Sequence, residues 1–271
     1  MRVKLLGTGS AEGFPGMFCG CPTCRVARER RGRDLRTRSS ALVDGVVKID
    51  FPPDTFHHVI TGDLDLTAVE YIVFTHSHDD HFAVPELQYM SWMFVPEPAS
   101  RPLTILGSCD VLQRVRDELP LDILPMRLEV IEPCEPTQIG RHTITGVVAN
   151  HIEDETCFNY VISDGTASVL YATDTGVYAE VAWRCLAGAH LNAVIMECTK
   201  GMQEGGYMAH LSIPDVVRMR DRMVGCGIIG EGTRFVTTHH SHMAGMLYED
   251  LERELSPHGI EVGYDGMTVD V

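Results

Sequence analysis

The sequence has little positive charge. Its 271 residues contain 22 lysines and arginines against 38 aspartates and glutamates, which gives a formal net charge of −16 at pH 7. A broad basic surface of the kind that binds long nucleic acids is therefore not expected. No apolar run approaches the roughly 20 residues that a membrane-spanning helix needs. A hydrophobic fraction of 44% and a charged fraction of 22% exclude a disordered or fibrous protein.

A secretion signal is also missing, because residues 1–9 (MRVKLLGTG) lack the apolar core and small-residue cleavage site of such signals. We therefore expect a cytoplasmic protein with no membrane partner. The nine cysteines are unevenly spaced, which favours metal binding or free thiols over a disulfide framework. Six scattered cysteines are predicted to be small core residues: Cys109, Cys134, Cys157, Cys185, Cys198 and Cys226.

Strand-like and helix-like segments alternate along the chain, with no repeat, low-complexity tract or linker, which favours one layered α/β domain over residues 1–271. The predicted strands are Val3–Leu6, Ser40–Val43, Val46–Asp50, Val69–Phe74, Leu103–Leu106, Thr143–Ala149, Phe158–Ile162, Ser168–Tyr171, Ala193–Met196 and Phe235–Thr238. The predicted helices are Pro22–Arg31, Pro85–Met90, Cys109–Glu118, Val177–Leu186, Ile213–Val224 and Ala244–Leu255.

The chain is rich in histidine, with 13 residues, and the strongest signal is the segment HSHDDH at residues 76–81. In an extended segment His76 and His78 project to the same side, so both can bind one cation. Asp80 and His81 follow where the backbone turns and can reach a second cation. Two ions about 3.5–4 Å apart share a hydroxide and contact the attacking and leaving oxygens of a substrate. The segment therefore predicts a dinuclear metal site.

Three further candidate ligands each follow a predicted strand: His151, Asp174 and His239. Each alone is unremarkable, but the same position relative to a strand, three times over, favours metal binding by the set. His142 competes with His151, but it begins its strand and would point to the opposite edge.

A second cluster places Cys19, Cys21 and Cys24 within six residues. Thiolates are preferred zinc ligands, and this spacing supplies three corners of a tetrahedral site whose fourth ligand must come from elsewhere. The alternative is three unrelated buried or free thiols.

With its His-x-His-x-Asp-His motif, the chain resembles the metallo-β-lactamase superfamily. The resemblance implies a single-domain, four-layered αββα sandwich. It implies that His76, His78 and His151 hold one ion. The other ion would be held by Asp80, His81 and His239, with the Asp174 carboxylate bridging the two. Asp50 would orient a ligand or loop near the metals.

The cysteine cluster, following a Gly-Thr-Gly loop, resembles that of the PhnP phosphodiesterases of bacterial phosphonate breakdown. This resemblance implies a structural Zn²⁺ at residues 19–24, completed by His242. Because His240 lies next to His239, it could replace either His239 or His242 as a ligand, and the sequence does not decide between them. The same resemblance makes His210 the general acid, so that Asp80 and His210 are the catalytic candidates. The mixed ligands of the active-site pair suit Mn²⁺ or Zn²⁺, and also Fe²⁺.

The expected activity is hydrolysis of a small anionic phosphodiester, with a cyclic ribose phosphate as the leading substrate, by a hydroxide held between the ions. The resemblance also suggests a homodimer. Three alternatives stay open: a tRNA-processing nuclease, a thioesterase, and a non-hydrolytic cofactor-biosynthesis protein like PqqB. The absence of a basic arm argues against the nuclease, and the complete ligand set argues against a non-hydrolytic protein.

Overall fold

The computed structural model describes residues 1–97 and 101–271. Within these ranges the chain forms two seven-stranded mixed sheets. The strands of the first sheet are β1 (Arg2–Gly7), β2 (Ser40–Val43), β3 (Val47–Ile49), β4 (Tyr71–Val73), β5 (Leu103–Gly107), β6 (Met126–Val130) and β14 (Thr268–Asp270). Those of the second are β7 (Pro136–Ile139), β8 (His142–Val148), β9 (Phe158–Ser163), β10 (Ser168–Ala172), β11 (Ala193–Glu197), β12 (Arg234–Thr238) and β13 (Glu261–Val262).

The strand order brings the carboxyl ends of several strands to one edge of each sheet. The first sheet runs β14-β1-β2-β3-β4-β5-β6, and β3 to β6 are parallel. The second runs β13-β12-β11-β10-β9-β8-β7, with β10 to β13 parallel and β8 antiparallel to β9. Since β9 is also antiparallel to β10, strands β8, β10, β11 and β12 end at the same edge.

The described part of the chain also contains six α-helices. They are α1 (Pro22–Arg30), α2 (Thr55–Ile60), α3 (Cys109–Glu118), α4 (Glu180–Cys185), α5 (Ile213–Gly225) and α6 (Tyr248–Leu255). No helix in these ranges is long and apolar enough to cross a membrane.

Three clusters of buried apolar side chains lie between the layers of the fold. Between the sheets, side chains of both pack together, among them Ile49, Tyr160 and Ile195. The outer face of the first sheet packs against α3, and that of the second against α4, α5 and α6. This arrangement confirms the predicted single-domain αββα sandwich.

Helix starts follow local chemistry. The Ser212 side chain accepts a hydrogen bond from the Asp215 amide, and the Asp215 carboxylate accepts one from the Ser212 amide, so a capping box begins α5. The predicted helix Ala244–Leu255 begins only at Tyr248, because Gly245 adopts a left-handed conformation (φ 72°) after a short 3₁₀ turn. The predicted helix at Pro85–Met90 is a 3₁₀ helix over Val84–Met90.

The prediction for the scattered cysteines is partly wrong. Cys134, after β6, and Cys185, at the end of α4, form a disulfide whose Cα atoms are 5.3 Å apart. Cys109 and Cys226 are exposed, whereas Cys157 and Cys198 are buried as predicted. The pairing depends on the contact between a loop and a helix 51 residues away, which cysteine spacing does not reveal.

Candidate metal centre

Histidine and aspartate side chains from both sheets meet at the edge where the strands end. The loop after β4 contributes residues 76–81, and residues beyond β8, β10 and β12 contribute His151, Asp174 and His239. Apart from the exposed His78, these predicted ligands are buried. The structure thus brings together all seven residues that the sequence nominated.

One group consists of three histidines. His78 Nδ1 lies 3.1 Å from His76 Nε2 and 3.0 Å from His151 Nε2. Burial lowers the pKa of His76 well below its usual value, which keeps the ring neutral. Neutral imidazole is the form that binds metal ions. One ring nitrogen from each of the three histidines lies within 4.8 Å of the other two, as a shared metal ion requires.

The second group mixes carboxylate and imidazole. His81 Nε2 is 3.1 Å from Asp80 Oδ2, and His239 Nε2 is 3.8 Å from the same oxygen. Asp174 lies between the two groups. Its Oδ2 is 2.9 Å from His81 Nε2, and its Oδ1 is 3.5 Å from His151 Nε2. Asp174 is therefore placed to bridge two ions.

The hydrogen bonds of these side chains fit a metal pair. His81 Nε2 and His239 Nε2 are buried and lie close to carboxylate oxygens, but within the described ranges neither makes a well-aligned hydrogen bond. Four histidines instead use their other ring nitrogen for a fixed contact, which orients each ring. These contacts are His76 to Thr75 Oγ1 (2.9 Å), His81 to Asp50 Oδ2 (2.7 Å), His151 to Ala209 O (3.2 Å) and His239 to Thr199 Oγ1 (2.8 Å).

The backbone is strained at three of these positions. Asp50, Asp174 and His239 have φ values of 57°, 48° and 56°, in the left-handed region that non-glycine residues rarely adopt. Each follows a strand directly or by one residue, where the backbone must turn to aim its side chain at the site. Such conformations cost about 1–3 kcal/mol and cluster at functional sites.

His210 lies beside both ligand groups. Its ring is stacked on His239 at a centroid distance of 5.5 Å and is 5.1 Å from the ring of His151. Its Nδ1 is 2.8 Å from Oε1 of the buried Glu197. Burial would lower the pKa of His210, but the Glu197 carboxylate outweighs this and raises it to about 9. The contact with Glu197 thus favours the protonated form of the ring.

Asp50, which contacts His81, was predicted to orient a ligand, but sequence reasoning missed the other side chains that orient these rings. Glu197 ends β11 and accepts hydrogen bonds from Thr199 Oγ1 (2.6 Å) and from the amides of Thr175 (2.8 Å) and Leu211 (3.0 Å). Its position at a strand end is the same signal that nominated Asp174. For Thr75 and Thr199 the sequence carries no comparable signal.

A separate cluster lies at the N-terminus of α1. One ligand atom from each of Cys19, Cys21, Cys24 and His242 lies within 4.8 Å of the others. The Cys24 amide donates a hydrogen bond to Cys21 Sγ (3.4 Å), and this contact lowers the pKa of the Cys21 thiol to about 6. His242 Nδ1 is buried without a hydrogen-bond partner in the described chain. Both nitrogens of His240 are buried elsewhere, beside Arg36, so the geometry favours His242 for this cluster.

The cluster leaves no room for a side chain at Gly16. A Cβ added there would lie 2.5 Å from His242 Nε2 and 3.2 Å from Cys19 Cβ. We expect Gly16→Ala to displace His242 and lower zinc affinity about tenfold, since overpacking costs about 1–3 kcal/mol. The matched control is Gly20→Ala, because a Cβ at Gly20 meets no atom within 4 Å. Equal zinc affinities of the two variants in a chelator competition would contradict the expectation.

Comparison with known proteins identifies the family of the chain. A family model described as "Beta-lactamase superfamily domain" matches residues 42–240. The chain belongs to the metallo-β-lactamase superfamily, whose members are mostly metal-dependent hydrolases.

Individual proteins that are similar to this chain have different names. The structure of a diphosphatase from the PhnP family is 20% identical with a TM-score of 0.77, covering 99% of this chain and 97% of the other. Zn²⁺-bound PqqB from Methylobacterium extorquens is 20% identical with a TM-score of 0.78, covering all of both chains. A Porphyromonas gingivalis protein named octanoyltransferase is 27% identical over 280 residues, covering 98% of this chain. The chain spans about half (51%) of that relative's length.

Proposed function

We propose that the protein is a metal-dependent phosphodiesterase with two divalent ions, Mn²⁺, Zn²⁺ or Fe²⁺, in the active site and one structural Zn²⁺ at the cysteine cluster. The observation that carries the proposal is the pair of ligand groups sharing Asp174, with His210 beside both. The combination of this site with a Cys/His cluster, and the fold shared with a diphosphatase of the PhnP family, support a PhnP-like activity.

Each side chain of the site has a proposed role in binding the ions or in orienting a ligand. His76, His78 and His151 would hold one ion, and Asp80, His81 and His239 the other, with Asp174 between them. Two divalent metal ions held in this way lower the pKa of bound water and neutralise charge on a phosphate group. Asp50 and Thr199 keep the rings of His81 and His239 in the orientation that ligation requires.

His210 would protonate the leaving oxygen. Because its Nδ1 is bonded to Glu197, Nε2 is the nitrogen left to donate a proton to a substrate. The buried Glu197 carboxylate also fixes the ring plane, so the proton is presented in one direction. The leaving oxygen is thus released as a neutral hydroxyl group.

The proposed substrate is a small anionic phosphodiester, with a cyclic ribose phosphate as the first compound to test. Two divalent ions would place local positive charge in the cleft, which attracts a small anion despite the net charge of −16. The same net charge disfavours long nucleic acids. The test is a panel of diesters, acyl thioesters and tRNA with added Mn²⁺. Diester hydrolysis that stops on metal removal supports the proposal, and hydrolysis of none of the diesters overturns it.

The proposed role of His210 as general acid can be tested by changing the leaving group of the substrate. We expect His210→Ala to lower kcat/KM for an alkyl diester about 10²-fold to 10³-fold, since such a leaving group needs a proton. For bis(p-nitrophenyl) phosphate, whose leaving group is a weak base, the loss should stay below about tenfold. The exposed His258 supplies the control His258→Ala, which should leave both rates unchanged. Equal losses of His210→Ala on both substrates would exclude the role.

A second candidate function is acyl ester or thioester hydrolysis. The observation that favours it is the 27% identical relative named octanoyltransferase, of which this chain spans about half. An octanoyl thioester in the same panel distinguishes it from phosphodiester hydrolysis.

A further inference from the structure

The loop of residues 149–157 is tied to the loop that carries the metal-binding motif. It joins β8 to β9 and contains His151 near its beginning. Four residues later, Glu155 accepts hydrogen bonds from the Ser77 amide (2.8 Å) and, through its other oxygen, from the Ser77 hydroxyl. Ser77 lies between His76 and His78. One carboxylate thus connects the segment of two candidate ligands to the loop of the third.

Helix α3 forms hydrogen bonds to both of these loops. Arg114 donates hydrogen bonds to the carbonyl (2.6 Å) and the hydroxyl (2.8 Å) of Ser77. One turn earlier, the Asp110 carboxylate accepts a hydrogen bond from the Thr156 amide (2.9 Å). Both loops are therefore anchored to one helix as well as to each other.

We propose that Glu155 is a positioning residue for the ion held by His76, His78 and His151, and not for the ion held by Asp80, His81 and His239. This inference rests on the proposed metal pair. By holding the Ser77 amide, Glu155 fixes the backbone between His76 and His78, and its own backbone fixes the loop of His151. Among the described residues, Asp80, His81 and His239 form no hydrogen bond with Glu155, and His81 and His239 are oriented by Asp50 and Thr199.

The test measures the affinity of each ion for the full-length protein by competition between Zn²⁺ and a chelator. We expect Glu155→Gln to weaken one active-site ion about tenfold, the loss typical of residues that orient metal ligands. The affinity of the second ion and of the cysteine cluster should not change. Glu153→Gln is the matched control, because it removes the same charge from an exposed position two residues away.

The variant Glu155→Asp distinguishes the effect of the carboxylate's position from the effect of its charge. Glu155→Asp keeps the negative charge but withdraws the carboxylate by one methylene, so it no longer reaches Ser77. We expect this variant to lose nearly as much affinity as Glu155→Gln. Wild-type affinity in Glu155→Asp, with a loss in Glu155→Gln, would show that charge alone matters and overturn the proposal.

A double-mutant cycle links the effect to His151. In a His151→Ala background Glu155→Gln should cause a smaller further loss, because only its effect on His76 and His78 remains, whereas in a His239→Ala background its tenfold effect should persist in full. Additive losses in the His151→Ala background, or equal weakening of both ions, would indicate a general structural role and overturn the inference. A wild-type protein that binds two active-site ions, with unchanged affinities in Glu155→Gln, overturns this inference alone. A wild-type protein that binds neither overturns the proposed function as well.

Discussion

Asp174→Asn is expected to lower kcat/KM for a phosphodiester about 10³-fold, equivalent to about 4 kcal/mol of transition-state stabilisation. Asp174 is the carboxylate within reach of both ligand groups, at 2.9 Å from His81 Nε2 and 3.5 Å from His151 Nε2. Its ionisation is secured by its neighbours. Burial would raise the pKa of Asp174, but His239 and His81 hold it well below the usual range.

Asparagine is the informative replacement at this position. It keeps the size of the side chain and tolerates the left-handed backbone (φ 48°) that alanine would strain. The loss therefore reports on the bridging charge. Metal analysis should show weaker binding of both active-site ions, with the zinc of the cysteine cluster retained. Asp79→Asn is the control, because Asp79 is an exposed carboxylate of the same motif. Full retention of both ions by Asp174→Asn would refute the bridging role.

Cys21→Ser is expected to remove one zinc per chain and to lower the melting temperature by about 5 °C or more. The binding free energy of a structural zinc is folding free energy, so metal and stability are lost together. Cys21 is also the N-cap of α1, so the site joins the loop before that helix to His242, beyond β12. The exposed free thiol of Cys226 offers the control Cys226→Ser. If Cys21→Ser keeps its zinc and its melting temperature, the cluster is not a structural metal site.

Much of the site could be predicted because its residues follow strands. The motif of residues 76–81 has the spacing of metal ligands, and His151, Asp174 and His239 each come after an apolar run. Parallel strands in a layered fold end at one edge, so residues far apart in sequence meet there. The apolar alternation that predicted the strands thereby also located the site.

The undetected parts depend on contacts that leave little trace in the sequence. Strands β6 and β7 are partly exposed and were not predicted, since edge strands bury too little to show an apolar run. The role of Glu197 depends on the loop that returns His210 to it, 13 residues later. Likewise, the contact between Glu155 and Ser77 spans 78 residues. Such polar pairs are set by tertiary packing, and a lone glutamate in a loop is usually solvated.

The most direct test of the proposed function is a titration of metal-stripped protein with Mn²⁺ or Zn²⁺, following hydrolysis of bis(p-nitrophenyl) phosphate and bound metal in the same samples. The cysteine cluster should retain its zinc through the stripping. We expect activity to be absent without added metal and to reach its maximum when two further ions are bound per chain. Diester hydrolysis that is unaffected by stripping, or no hydrolysis with both ions bound, would contradict a dinuclear phosphodiesterase.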